Sequence, residues 1–309
     1  MAVIKGDAGV NMLIGTRESD SLSGFGGDDR LYGLRGNDDI DGGEGADLMS
    51  GRVGDDIYWV DDLGDRVVER LDEGFFDQVR STVSYVLTRN VEHLVLIGTA
   101  DIDGYGNALE NILIGNEGGN VLNGRGGLDR LEGRAGNDVY VVDDLDQEVD
   151  SYGVGLDRVI ERAGEGIDTV RLGVRLNEYL LPDNVENLIM LEGSFADGND
   201  LDNFIRGSDQ ASFIAGGDGA DRILGRGGND FLEGGAGTDV LIGGEGNDTL
   251  TDGGEGGRVY GGLGNDIIQW RAGSASISMW HRTPAMPISS NTSRRERIRS
   301  TWIGPFTAG

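Results

Sequence analysis

Large apolar residues recur along this chain every nine positions. Leu22, Leu31, Ile40, Met49 and Tyr58 form a first series, Leu122, Leu131 and Tyr140 a second, and Ile223, Leu232, Leu241, Leu250, Val259 and Ile268 a third. Each stands eighth in a nine-residue unit that, with the exception of the unit at position 252, opens on glycine. The units start at Gly6, Gly15, Gly24, Gly33, Gly42 and Gly51, then at Gly106, Gly115, Gly124 and Gly133, then run in steps of nine from Gly198 to Gly261. One apolar position per unit, separated from the next by glycine-rich turns, predicts short strands alternating with tightly curled turns. The fold class is therefore all-β: a parallel β-roll, or right-handed β-solenoid, whose eighth-position side chains stack inside as the core.

The polar positions keep the same phase. In Gly33-Leu-Arg-Gly-Asn-Asp-Asp-Ile-Asp41 glycine stands first and fourth and aspartate sixth. The sixth-position aspartates are Asp20, Asp29, Asp38, Asp47 and Asp56, then Asp129 and Asp138, then Asp221, Asp230, Asp239, Asp248 and Asp266. Fourth-position glycines accompany them at Gly27, Gly36, Gly45, Gly54, Gly127, Gly136, Gly219, Gly228, Gly237, Gly246 and Gly264. Glycine at positions one and four is expected to let the backbone take positive φ and turn carbonyl oxygens inward, and the carboxylate adds the hard anionic oxygen that Ca2+ prefers. These residues are the candidate metal ligands, several ions in all, although one turn alone supplies too few oxygens. An isolated Gly-x-Asp would mean no more than a turn; the phased array is what points to ions. The pattern weakens where Asn11, Asn111, Asn120, Asn203, Ser212 and Gly257 replace the aspartate and where Glu18 replaces a fourth-position glycine. Such units are expected to cap the arrays or to bind weakly.

Charge sharpens the expectation. The 56 glycines among 309 residues would suggest disorder if they were not periodic. With 55 acidic against 26 basic groups the formal charge is -29, and so many carboxylates repel one another in any compact state that lacks counter-ions. Cations are expected to be part of the fold, metal binding and folding to be one event, and the metal-free chain to be largely unfolded. The acidic balance argues against nucleic acid as a partner. Zero cysteines and two histidines leave no disulfide or thiolate site and little nitrogen for zinc. No apolar run approaches the ~18 residues that cross a bilayer, so no transmembrane segment is expected, and the chain enters its repeats at Gly6 without an apolar leader.

The arrays divide the chain. A first array covers residues 6–59, a β-rich segment 60–105, a second array 106–141, a second β-rich segment 142–197, and a third array 198–269, followed by a basic low-complexity tail at 270–309. The two intervening segments resemble each other: Asp65-Arg-Val-Val-Glu-Arg70 recurs as Asp157-Arg-Val-Ile-Glu-Arg162, and Asn90-Val-Glu-His-Leu94 as Asn184-Val-Glu-Asn-Leu188. Their alternating Val, Ile, Leu and Tyr predict strands that extend the roll.

Gly234-Gly-Ala-Gly-Thr-Asp-Val-Leu-Ile242 and Gly243-Gly-Glu-Gly-Asn-Asp-Thr-Leu-Thr251 fit at every defined position the consensus Gly-Gly-x-Gly-x-Asp-x-U-x, with U a large apolar residue. The chain thus resembles the RTX, or hemolysin-type, calcium-binding nonapeptide-repeat family over roughly residues 6–269. The resemblance implies that two units form one coil and that each ion lies between the turns of units n and n+2. Carried onto this chain, that pairs Asp20 with Asp38, Asp29 with Asp47, Asp38 with Asp56, Asp221 with Asp239, Asp230 with Asp248, and Asp248 with Asp266. It also implies export to the extracellular space by type I secretion. Two functions follow as expectations. One is a secreted calcium-binding repeat protein that folds outside the cell and acts as a structural or interaction protein toward a cell-surface, polysaccharide or host-membrane partner. The other is the calcium-binding module of a secreted protease, lipase or polysaccharide epimerase.

Catalytic patterns add nothing to this. There is no His-Glu-x-x-His helix, nucleophile elbow, phosphate loop or Cys-His pair, so no catalytic residue is assigned and the expectation is that the chain is not an enzyme. Acidic pairs such as Asp61-Asp62 and Asp143-Asp144 suit turns or ion sites, and His93, matched by Asn187 in the sister segment, suits a structural role. Residues 270–309 carry six arginines against one glutamate and three of the four tryptophans. Their position suits a secretion signal, but their composition suits a disordered tail or a frame-altered end.

Overall fold

The computed structural model describes residues 1–71, 73–143, 157–253, 256–270 and 299–300 of the chain. They divide into two compact units, Met1–Asp168 and Thr169–Gly309. The basic tail, apart from its first residue and Arg299–Ser300, lies outside the described residues, as does Asp144 of the second acidic pair.

In the first unit, strands eighteen residues apart pair in parallel: Ser21 aligns with Asp39 and Asp39 with Ile57, while on another sheet Met12 aligns with Arg30 and Arg30 with Leu48. Two nonapeptides therefore make one coil, each contributing one short strand, and neighbouring coils stack through their ladders. Because side chains alternate across a strand, placing the eighth residue inward sends the seventh and ninth outward. Asp39–Asp41 shows this directly, with Ile40 buried between two exposed aspartates. Nine parallel strands from Val3–Lys5 to Arg158–Ile160 form one face of the unit.

The inward residues stack in rows. Leu22, Ile40, Tyr58, Val79, Leu94, Leu113 and Leu131 succeed one another along the nine-stranded sheet, all essentially inaccessible to solvent. Leu31, Met49 and Val67 form the facing row at the start of the unit, with Leu122 and Tyr140 further on. Each fully buried side chain of this size contributes about 1.5–3 kcal/mol.

The segment after the first array is β-rich and continues the same ladder with coils of other lengths. Ile57 aligns with Gln78, Gln78 with His93, and His93 with Ile112, so the buried residues stay in line while the turns absorb the variation. Asn90 and Asn184 occupy equivalent left-handed turns, at φ 63° and 65°. His93 is half-buried beside the Phe76 ring, at 5.6 Å between centroids.

The second unit repeats the architecture. Arg222 aligns with Val240 and Val240 with Arg258 on one sheet; Phe213 aligns with Phe231 and Phe231 with Thr249 on another. Ile205, Ile223, Leu241 and Val259 fill the core from the first, and Ile214, Leu232, Leu250 and Ile268 from the second. Among the described residues no helix is long and apolar enough to cross a membrane.

Candidate metal centres in the turns

Each turn ends on its sixth-position aspartate, and these aspartates are joined through the coils. The backbone N–H of Asn11 donates to Oδ1 of Asp29 at 2.6 Å, that of Asp29 to Asp47 at 2.7 Å, and that of Asp47 to Asp65 at 2.9 Å. Along the other edge the chain runs from Ala2 to Asp20 at 2.6 Å, to Asp38 at 2.8 Å, to Asp56 at 2.7 Å and to Asp77 at 2.8 Å. In the second unit Asp221 donates to Asp239 at 3.0 Å, Asp230 to Asp248 at 2.9 Å and Asp248 to Asp266 at 3.0 Å. Every pair of aspartates implied by the family resemblance is thus brought together, one coil apart.

The carboxylates are only half satisfied. Asp29, Asp38, Asp47, Asp56, Asp138, Asp221, Asp230, Asp239 and Asp248 are at most 2% exposed, and Oδ2 of each has no hydrogen-bond partner among the described residues. A buried carboxylate oxygen without a partner is costly unless a cation or proton reaches it. Burial accordingly pushes Asp38 and Asp47 up to about 6 and Asp56, Asp138, Asp221 and Asp230 up to about 7. Asp20 differs: its Oδ2 accepts hydrogens from the backbone and hydroxyl of Thr16, and the Ala2 N–H holds its carboxyl below the ordinary value.

The glycines do two separate jobs, which corrects the sequence expectation. Positive φ falls at positions two and four, not one and four: all eleven predicted fourth-position glycines lie between Gly27 at +96° and Gly54 at +144°. Position one needs glycine for room. A Cβ on Gly42 would fall on Oδ2 of Asp47, and one on Gly24 on Oδ2 of Asp29 and the carbonyl oxygen of Gly42. Position two takes the left-handed conformation even without glycine, at Phe25, Leu34, Arg52, Arg125, Arg134 and Arg226, with φ from 71° to 85°. For such side chains this costs roughly 1–2 kcal/mol each.

Sequence reasoning missed the carboxylates that carry the ladder beyond the nonapeptides. Asp65 and Asp77 accept from the first array, Asp157 accepts from Asp129 at 3.2 Å, and Asp168 from Asp138 at 2.8 Å. A signal was present, since each stands two residues before a buried valine, Val67, Val79, Val159 or Val170, as array aspartates stand before their core residue. Asp61 and Asp62 donate their N–H groups to Oδ2 of Asp65, so that acidic pair forms a turn. At the unit with Gly257 in place of aspartate, the carboxylate of Asp252 lies beside the glycine.

Asparagine at position six behaves differently. Nδ2 of Asn111 donates to the carbonyls of Val91 and Glu92, Nδ2 of Asn120 to that of Ile102 at 2.7 Å, and Nδ2 of Asn203 to those of Val185 and Glu186. Their Oδ1 atoms accept from Asn107, Asn116 and Asn199. An amide therefore supplies the hydrogens that an aspartate lacks, and its bonds to the neighbouring coil's carbonyls close these turns.

Turns lined by buried, half-satisfied carboxylate oxygens and close-set carbonyls, with no soft ligand, suit a hard cation. Comparison with known families agrees: the RTX calcium-binding nonapeptide repeat (4 copies) matches residues 5–40, 23–58, 32–66, 105–140, 197–232, 216–250 and 233–268, more than half of the chain. The chain belongs to the RTX calcium-binding nonapeptide-repeat family. No curated protein matches it. It is an RTX β-roll protein, and its repeats are of a calcium-binding type.

Proposed function

We propose that this RTX protein is a secreted calcium-binding structural or interaction protein whose rolls fold when calcium enters the turns outside the cell. The observation that carries this reading is the set of buried aspartates with one oxygen fixed by the backbone N–H of the preceding coil and the other without a partner among the described residues. Asp29 with Asp47, Asp38 with Asp56, Asp221 with Asp239 and Asp230 with Asp248, together with turn carbonyls, would hold the ions. Asp129 and Asp138, continued by Asp157 and Asp168, would do so in the second array. The bound cation would neutralise carboxylates that the fold otherwise buries at high cost. Extracellular modules bind calcium at ~10⁻⁴ to 10⁻³ M, which fits a chain unfolded in a low-calcium cytoplasm and folded after export. Absence of cysteine is consistent with a fold held by ions rather than by disulfides.

The decisive experiment is far-UV circular dichroism combined with calorimetric titration of the chelated chain, using magnesium as the control. Cooperative gain of β-signal with several calcium ions, and none with magnesium, is expected. A metal-free chain already folded and indifferent to calcium would overturn the reading.

A further inference from the structure

The geometry points to two metal sites outside the nonapeptide consensus: Asp56, Glu69 and Asp77 hold one divalent cation where the first array ends, and Asp138, Glu161 and Asp168 hold another where the second ends. In each group three buried carboxylates bring one oxygen apiece within 4.8 Å of the others. Glu69 is supplied by the segment after the array, from a position no repeat register would predict.

How the first group is held shows why it suits an ion. Oε1 of Glu69 accepts from the backbone N–H groups of Gly51 and Arg52, both at 3.1 Å, and from the hydroxyl of Tyr58. Oδ1 of Asp56 accepts from Asp38, and Oδ1 of Asp77 from Asp56. One oxygen of each carboxylate is thereby used to orient it. The remaining three, Oδ2 of Asp56, Oε2 of Glu69 and Oδ2 of Asp77, are buried without a hydrogen-bond partner among the described residues, in residues no more than 6% exposed. The charged groups acting most strongly on this cluster from neighbouring elements are further carboxylates, Asp38, Asp55, Glu73 and Glu92, so the surroundings oppose its charge. An all-oxygen set of three carboxylates suits a hard divalent ion, with calcium favoured over magnesium where no octahedral frame is built.

The second group rebuilds this by another path. Asp56 and Asp77 are 21 residues apart, whereas Asp138 and Asp168 are 30 apart; Tyr58 precedes Glu69 by 11 residues, whereas Tyr140 precedes Glu161 by 21. Despite the longer excursion, the same two aspartates, glutamate and tyrosine meet, with the Tyr140 hydroxyl again donating to the glutamate. The recurring motif of the two segments acquires a purpose. Its aspartate, Asp65 or Asp157, continues the ladder, its first valine, Val67 or Val159, enters the core, and its glutamate turns back over the end of the array.

The test counts calcium bound per full-length chain at saturation, by equilibrium dialysis with elemental analysis, in the wild type, Glu69→Gln, Glu161→Gln and the double variant, with Asp230→Asn as an array control. Each glutamine variant is expected to lose one ion and the double variant two, with the saturated β-signal unchanged. Because Tyr58 touches Glu69, Tyr58→Phe is expected to retain the ion but to dim tyrosine-sensitised emission from terbium bound in its place. An unchanged ion count in both glutamine variants, while Asp230→Asn loses its ion, would overturn these sites and leave the nonapeptide sites standing. Failure of the wild type to bind calcium would sink both readings. If Glu69→Gln does not fold, Tyr58→Phe decides, and terbium emission equal to that of the wild type overturns the proposal.

Discussion

A single methyl group separates the roles of glycine in these turns. At position one the missing Cβ leaves space for the sixth-position carboxylate, so Gly42→Ala drives a methyl onto Asp47. Expected is a loss of about 1–3 kcal/mol, the usual cost of overpacking, together with weaker calcium binding, measured by denaturation and titration in calcium. At position two the backbone is left-handed, and Arg134, half-buried at φ 73°, carries strain that glycine would relieve. Arg134→Gly is therefore expected to raise the stability of the calcium-loaded protein by about 1 kcal/mol, the left-handed penalty less the greater freedom of glycine in the unfolded chain. Protonation acts on the same turns. Burial raises Asp38 and Asp47 to about 6, Asp56, Asp138, Asp221 and Asp230 to about 7, and Asp77 to about 8, so the metal-free fold binds protons more tightly than the unfolded chain does. The resulting stabilisation is complete below the unfolded carboxylate value of about 4 and is lost as pH rises through 6 to 8. In metal-free buffer the β-signal should grow as pH falls from 8 to 5. A metal-free signal that strengthens with rising pH would contradict this.

Among elements, the coils fall into two kinds. Coils such as those of Asp29, Asp38, Asp221 and Asp230 leave a buried carboxylate oxygen without a partner among the described residues, whereas the coils closed by Asn111, Asn120 and Asn203 satisfy their neighbours' carbonyls with an amide. Asn120→Ala is expected to cost about 1–3 kcal/mol, the penalty for an unsatisfied buried carbonyl, while the number of bound ions stays the same. Denaturation paired with ion counting checks it, and loss of an ion would mean that the amide was acting in a metal site. The strands themselves were legible, because a glycine-punctuated period of nine admits little else. The continuation of the aspartate ladder through Asp65 and Asp77 was not, since the intervening turns vary in length and break the numerical phase. Outside the arrays only the Asp-x-Val spacing survives, and it is too short to stand out from a chain so rich in acidic residues.

For the molecule as a whole, the excess of 55 acidic over 26 basic groups sets the terms of folding. Salt screens exposed charges over a Debye length of about 3 Å at 1 M but does not coordinate oxygens sealed within a turn. Sodium chloride at 1 M, without calcium, is therefore expected to leave the chelated chain short of its calcium-induced β-signal. Full recovery in salt alone would show that general repulsion, rather than ligand-poor carboxylates, holds the chain open.

Sequence alone determined the all-β roll, the inward eighth position, the phased aspartates and the oxygen-only chemistry, because a chain without cysteine repeats one local period that any stacked coil must reproduce; the pairing of aspartates one coil apart was implied by the family resemblance. Tertiary structure alone decided which atoms meet between coils. It put positive φ at position two, gave the first glycine its steric role, satisfied Asp20 through Thr16, and carried Glu69 and Glu161 to the ends of the arrays. These outcomes depend on how far each intervening loop travels before the ladder resumes. The stacking of the core strands sets that return, and it bears no fixed relation to spacing along the chain.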